Sequence, residues 1–462
     1  MVGLPALMPP TSSMYFMTES REQPMHVGGL ELFVPPDDAG PDYLPDLFHR
    51  ALDVPADDVA RIFRRRPHRS LATLGQWTWQ DEPDIDLEHH VRHSSLPRPG
   101  RVRELLALTS RLHSTLLDRH RPLWETHLIE GLEDGRFALY TKVHHALMDG
   151  VSALRLLERS LSTDPDDRDV PMPFQPRAGR ERSRDAGGTP LLRVVQGGAS
   201  AVTDVIGLGP RLALIALAGL REQATMLPGQ APRSMLNVPI TGSRRFAADA
   251  WEIDRVRAVG KAAGATLNDV VLAMCSAALR DYMIEQDALP DSSLVAMTPV
   301  SLRGEDDADE VGNAVGAILC NLATDVDDAE ARLLAVHESM LRGKAGLAGM
   351  SQLQATAMSA VIMAPLLVNQ ALGAHRVLRP PFNLIISNVP GPQQALYWNG
   401  ARLDGQYPLS IPLSGQALNI TITSYNGRLN FGLTGCRRSL PHMQRLLNGL
   451  EQGLADLEKA FL

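Results

Sequence analysis

The stretch Phe137-Ala-Leu-Tyr-Thr-Lys-Val-His-His-Ala-Leu-Met-Asp-Gly150 changes its period midway, and that change decides the local fold. Phe137, Leu139, Thr141 and Val143 alternate with Ala138, Tyr140 and Lys142, the pattern of a half-buried strand ending at a histidine pair. From Val151 onward Leu154, Leu157 and Leu161 recur at helical spacing. His144, His145 and Asp149 therefore occupy a strand-to-helix turn, where Gly150 offers a tight backbone conformation. Such a turn presents a side chain to a cleft from a rigid element.

Imidazole is suited to taking the proton from a hydroxyl as that oxygen attacks a thioester, because its unperturbed pKa of about 6.5 lies near working pH. No serine or cysteine nucleophile is then required. Neighbours on an extended backbone point to opposite sides, so only one histidine of the pair faces a substrate. His145 is expected to be that base. Asp149 is expected to support it by locking the turn through an arginine or backbone N–H groups. A helix cap beside a satisfied core histidine would produce the same bare string.

The flanking sequence narrows the choice. HHALMDG is similar to the HHxxxDG signature of acyl-CoA-dependent acyltransferases related to chloramphenicol acetyltransferase and to peptide condensation domains. PMHVGGLELF from Pro24, RPLWETHLIEGL from Arg121, TLNDVVLAM from Thr266 and NLIISNVPGP from Asn383 resemble, in order and spacing, the bacterial wax ester synthase/diacylglycerol acyltransferase family. The resemblance runs from Ser13 to Leu450. It implies an α/β fold of two chloramphenicol-acetyltransferase-like sandwich halves with a substrate tunnel at their interface. The implied reaction moves a long-chain acyl group from acyl-CoA to a fatty alcohol or to diacylglycerol, with coenzyme A leaving. Acyl-CoA is then a co-substrate, and neither a tightly bound cofactor nor a metal is expected.

Several residues gain candidate roles beside the motif. Thr266 or Asn268 can cap the helix whose apolar stripe begins at Val270, and Asp269 belongs to the same turn. Alternatively, Asn268 or adjacent N–H groups help hold the charge developing on the thioester oxygen. In related acyltransferases an arginine holds the motif aspartate, and Arg303, after the apolar strand Leu294 to Pro299, is the candidate here. Pro122, Leu123 and Trp124 resemble a family motif, with Trp124 expected to pack as a wall or entrance. The strand Asn383 to Val389, with Asn388 near its end, stops at Pro390 and is expected to shape the tunnel. Tyr425, Asn426 and Gly427 between two apolar runs signal a hairpin. His89 and His90 lack a following Asp-Gly and are expected at the surface or behind the site, while His26 lacks assignable chemistry.

Composition sets outer limits. The chain has 462 residues, 44% hydrophobic and 21% charged, which suits a globular protein with sizeable cores. A formal net charge of -8 argues against general nucleic-acid binding. Cys275, Cys320 and Cys436 lie far apart, so neither a disulfide framework nor a cysteine zinc site is suggested, and a reducing cytoplasm is the expected setting. The start MVGLPALMPPTSSMYF lacks a basic n-region. The apolar stretches Val205 to Leu220 and Ala355 to Leu372 are interrupted by Pro210 and Pro365 and are not expected to span a membrane. They are read as core helices or as docking surfaces for lipid, with the basic cluster Arg177 to Arg193 near headgroups at an inner membrane face or lipid inclusion.

The segment Thr163 to Pro190 carries five prolines, three glycines and eleven charged residues, so little of it is expected to pack. It divides the chain into an N-terminal half, 1–162, a connector, 163–243, with a helical part at Leu191 to Met226, and a C-terminal half, 244–462. Other functional classes remain open at this point. A condensation or polyketide-type acyltransferase shares the histidine signature, and a non-catalytic lipid-droplet protein would share the apolar stretches. A metal hydrolase is disfavoured because Gly150 breaks the helix that would carry His145 and Asp149 as ligands.

Overall fold

Alternation in the chain is realised among the described residues as two mixed six-stranded sheets, each faced by helices, and one small antiparallel two-stranded sheet. The computed structural model describes residues 7–70, 73, 75–176, 231–301, 315–348, 350, 352–371 and 379–462. In chain order the described strands are β1 (His26–Val34), β2 (Arg65–Arg69), β3 (Trp77–Asp81), β4 (Val91–Ser95), β5 (Trp124–Glu130), β6 (Phe137–His144) and β7 (Arg244–Glu252). They continue as β8 (Val295–Ser301), β9 (Val315–Asn321), β10 (Leu384–Val389), β11 (Tyr397–Trp398), β12 (Ala401–Leu409), β13 (Leu418–Tyr425) and β14 (Arg428–Cys436). The described helices are α1 (Pro10–Thr18), α2 (Tyr43–Leu52), α3 (Leu87–His90), α4 (Val102–His113), α5 (Gly150–Ser160), α6 (Ile253–Ala263), α7 (Leu267–Glu285), α8 (Ala329–Leu347), α9 (Gln352–Ala371) and α10 (Arg445–Phe461).

The first sheet has the order β11-β12-β1-β6-β5-β4 and the second β7-β14-β13-β10-β8-β9. In the first, β6 pairs antiparallel with β1 and β5, with His26 opposite His144 and Trp124 opposite Val143. Its alternating side chains feed two cores. Phe33, Phe137, Leu139, Val143 and Trp124 pack with Leu157 of α5, whereas Leu30, Leu32, Ala138 and Tyr140 pack with Leu105 of α4 on the opposite face. Burial on both faces fixes register, because a one-residue slip would exchange the two cores.

In the second sheet β10 runs parallel between β8 and β13. Helix α7 begins with a reciprocal capping box between Thr266 and Asp269 and is buried almost all round, as expected of a helix sandwiched in a core. Helix α10 lays Leu446, Leu450, Leu454 and Leu457 into the same core. Its glycines permit the approach, since a Cβ on Gly453 would lie 2.7 Å from that of Ala277. The expected hairpin is β13–β14, and Asn426 and Gly427 both have positive φ, 43° and 79°, matching the twist of the flanking strands.

Two features depart from expectation. First, the division at residue 244 does not separate the sheets: β11 and β12, late in the chain, complete the first sheet by pairing β12 with β1. Second, the described part of the Pro-rich segment, residues 163–176, packs. Val170, Met172 and Phe174 are buried against the first sheet, because prolines exclude helix yet suit an extended strap whose alternate side chains face inward. The Ala355 to Leu372 stretch takes the core-helix reading of its two: it falls largely in α9, which carries Pro365 within it and buries Met358, Ile362 and Leu366 against the second sheet. Among the described residues no single helix is long and apolar enough to cross a membrane. The helix expected at Leu191 to Met226, the stretch Val205 to Leu220, the cluster Arg177 to Arg193 and Arg303 lie outside the described residues.

Candidate active site

Strand alternation delivers the two histidines to different sides. His144, the last residue of β6, is fully buried, while His145 is only partly covered and donates its backbone N–H to Met25 O at 2.8 Å. Consecutive aromatics of α1 clamp the pair: Tyr15 stacks on His145 at 4.4 Å between centroids, and Phe16 on His144 at 4.5 Å. Burial raises the Tyr15 phenol to about 12, helped by the charge of Asp149, so it stays protonated.

The His144 ring accepts the Ala146 N–H at Nδ1, 3.0 Å, which assigns the proton of the neutral ring to Nε2. That nitrogen stands 3.3 Å from Glu19 Oε1, without the alignment of a hydrogen bond. The Glu19 side chain is 1% exposed and is otherwise held by Arg119 Nε at 2.8 Å and the Met25 N–H at 3.1 Å. Burial pushes its carboxyl up, but His144, Arg119 and Met25 outweigh it and hold the group below the ordinary range. Met25 thus donates to Glu19 and accepts from His145, so one acid braces both histidines. Sequence gave little hint of this. Glu19 stands in the polar run TESREQ, which reads as a solvated face.

His145 has a lowered pKa, chiefly because burial disfavours its charged form; Asp149 opposes the shift. A base acts when neutral, so this depression preserves it as pH falls. We expect kcat/KM to stay flat through the ordinary histidine value of 6.5 and to fall only at more acid pH. A pH–rate profile with an acid limb centred above that value would contradict the assignment.

Asp149 is the N-cap of α5 and its Oδ1 accepts the Ser152 N–H at 2.7 Å. Gly150 begins α5 without a positive φ, and the nearest atom to a Cβ there would be Val27 Cγ1 at 3.9 Å. The expected tight conformation is therefore not used. Asp149→Ala should cost about 1 kcal/mol through the lost cap, read as a lowered Tm. Removing its charge should also move the acid limb of the pH profile further down.

The PLW segment lies directly behind the pair. Leu123 O accepts the His144 N–H at 3.0 Å, Pro122 is buried, and Trp124 Nε1 donates to Phe63 O at 2.8 Å. His90 is not a surface residue: it stacks on Trp124 at 4.7 Å, its Nδ1 lies 2.8 Å from Trp124 O, and burial lowers its pKa to about 4. His26 sits on the α4 face, its Nε2 2.8 Å from His113 O.

Beside the motif opens an apolar pocket of ≈ 590 Å³, mouth included, lined by Val27, Gly28, Gly29 and Glu31 of β1, Trp124 and Thr126 of β5, Thr141 and Val143 of β6, and Met148, Gly150, Leu154 and Leu157. Phe63, Pro173 and Phe174 close it. The strap that packs against expectation is thus a wall of this pocket.

The remaining candidates belong to the second sheet. Asp269 Oδ2 accepts the Thr266 N–H of the capping box at 2.9 Å and lies 2.7 Å from His337 Nδ1, while the buried Oδ1 has no hydrogen-bond partner among the described residues. Asn388 Nδ2 reaches Asn268 Oδ1 at 3.4 Å, bringing two distant motifs together. Pro390 is exposed, and the next residue, Gly391, leaves no room for a Cβ against Ser424 O, with Glu158 Oε1 of α5 only 3.0 Å away. The turn after β10 therefore meets the helix that follows the histidine motif. Among the described residues no group of three His, Cys, Asp or Glu side chains is placed to hold a metal ion.

Comparison with known proteins identifies the family. Residues 8–271 match the model of the wax ester synthase/diacylglycerol acyltransferase catalytic domain, and residues 311–458 that of the WS/DGAT C-terminal domain. A Mycobacterium tuberculosis protein described as a probable diacylglycerol O-acyltransferase is 52% identical over 98% of this chain and 99% of its own. A wax ester synthase/diacylglycerol acyltransferase from Marinobacter aquaeolei VT8 superposes with TM-score 0.77 at 43% identity, covering 98% of this chain and 99% of that one. The first condensation domain of the CDA synthetase, 16% identical with TM-score 0.61 over 100% of this chain and 98% of its own, shares the fold.

Proposed function

The chain belongs to the wax ester synthase/diacylglycerol acyltransferase family, and from this we propose that it is an acyl-CoA-dependent O-acyltransferase making wax esters or triacylglycerols with His145 as general base. The observation that carries this is a partly buried imidazole placed directly after β6, in the turn between pocket-lining Val143 and Met148. His145 takes the proton from the hydroxyl of a fatty alcohol or diacylglycerol as that oxygen bonds to the thioester carbonyl carbon. The carbon–sulfur bond then breaks, and the proton passes from His145 to the departing thiolate of coenzyme A. No acyl-enzyme intermediate is needed.

His144, Glu19 and Arg119 position rather than react. The His144 ring is enclosed by Phe16 and Glu19, and Asp149 secures the turn. The apolar pocket supports binding of an aliphatic chain and exclusion of water, which protects the thioester from hydrolysis. Asn268, Asn388 and the Pro390 turn shape the second half's approach to α5. Residues 1–162 and 244–462 act as two halves joined by 163–243, with β12 lent to the first sheet. The enzyme meets its insoluble products by peripheral contact with a membrane face or lipid inclusion from the cytoplasm. Purified protein, radiolabelled palmitoyl-CoA and either hexadecanol or diolein test the proposal directly. Labelled wax ester or triacylglycerol is expected, and absence of both overturns it.

A further inference from the structure

The pocket is not uniformly apolar. On β1 the side chains of Val27, Gly29, Glu31 and Phe33 share the face that α5 covers, and Glu31 is 1% exposed with Oε2 lacking any hydrogen-bond partner. Directly across on β12 stands Gln406, 0% exposed, with both side-chain polar atoms unpartnered. Opposed residues of an antiparallel pair are close enough for their side chains to serve one ligand. Gly29 is what makes the space: a Cβ there would run into Glu31 Oε1, so the carboxyl folds back over the pocket floor beside Thr141. Two adjacent, fully buried polar groups with unused hydrogen-bonding capacity are unusual in a protein core. A plain alkyl chain cannot satisfy either.

Burial raises the Glu31 carboxyl well above its ordinary value, which favours the protonated form, one that donates as well as accepts. Gln406 supplies an amide N–H and a carbonyl. Such a pair recognises an uncharged oxygen and repels neither its chain nor the surrounding apolar wall. We infer that Glu31 and Gln406 form a specificity-determining subsite for a hydroxyl or oxo oxygen carried part-way along a lipid chain in this pocket. Thr141 lies four strand residues from His145, about 14 Å, so the oxygen would sit roughly ten carbons from the reacting centre.

This rests on the acyltransfer proposal above, and the oxygenated chain belongs to either the acyl donor or the alcohol acceptor. One arm compares 10-hydroxystearoyl-CoA with stearoyl-CoA using hexadecanol as acceptor. The other compares 1,10-octadecanediol with octadecanol using palmitoyl-CoA. The wild type should favour the oxygenated lipid in one arm by about tenfold in kcat/KM, the scale of one or two satisfied buried hydrogen bonds. Glu31→Leu and, separately, Gln406→Leu should abolish that preference, while Glu31→Gln, which keeps a donor, should retain most of it. Two single variants guard against one failing to fold. No preference in either arm, or a preference that survives both leucine variants, overturns the inference. Failure to form ester from stearoyl-CoA and hexadecanol or octadecanol would instead count against the acyltransfer proposal.

Discussion

His145→Ala should lower turnover of palmitoyl-CoA with hexadecanol by roughly 100-fold or more, the usual contribution of a positioned general base, with little change in Tm. His145 is only partly covered, and its main fixed contacts are a backbone hydrogen bond that alanine keeps and one ring stack on Tyr15. Its removal thus takes away chemistry more than packing. His144→Ala should behave oppositely. That ring fills a sealed site between Phe16 and Glu19, and its loss leaves a cavity and weakens the support of a buried carboxylate, effects that destabilise by a few kcal/mol. Its turnover should suffer less than that of His145→Ala when both are measured well below their Tm. Equal activity of the two variants, or loss confined to His144→Ala, would show that the base has been misassigned.

The second large effect is in acyl-chain length. Histidine chemistry would serve acetyl-CoA as well as palmitoyl-CoA, so selectivity must come from burial. Each methylene moved from water to an apolar pocket contributes about 0.8 kcal/mol, and ten extra methylenes roughly 8 kcal/mol of gross binding energy. Ordering the chain offsets part of this. Catalytic efficiency should nevertheless climb steeply from short to long acyl-CoA and level off where the apolar wall ends. The walls that Leu154, Leu157, Trp124 and Phe174 provide should also keep water out, so acyl-CoA alone should be consumed slowly until an alcohol or diacylglycerol is added. Matching rates for acetyl-CoA and palmitoyl-CoA, or hydrolysis as fast as ester formation, would exclude a long-chain acyltransferase.

The placement of His145 was legible because its neighbours announce their geometry locally. Period two before His144 and helical period after Gly150 place His145 at an element boundary, and the hairpin at Asn426-Gly427 is similarly written in residues that tolerate positive φ. The surroundings of that residue were not legible. Glu19 lies more than a hundred residues from His144 in the chain and in a polar run, and its role exists only because α1 folds over the end of β6 and Arg119 joins from elsewhere. Phe174 looked like part of an unpackable linker, since composition counts prolines and charges but does not register that an extended strap hides alternate side chains.

By itself the sequence determined the strand-to-helix turn, the identity and spacing of its histidines and aspartate, and the family to which four further segments belong, all matters of local period and short motif. Only the tertiary structure decided which groups brace the histidines, that a strand from residues 401–409 completes the first sheet, and that Glu31 and Gln406 stand side by side in its core. The reason is physical. Periodicity reports how a residue faces its own element, whereas burial, desolvation and partner choice depend on which distant elements the fold brings against it.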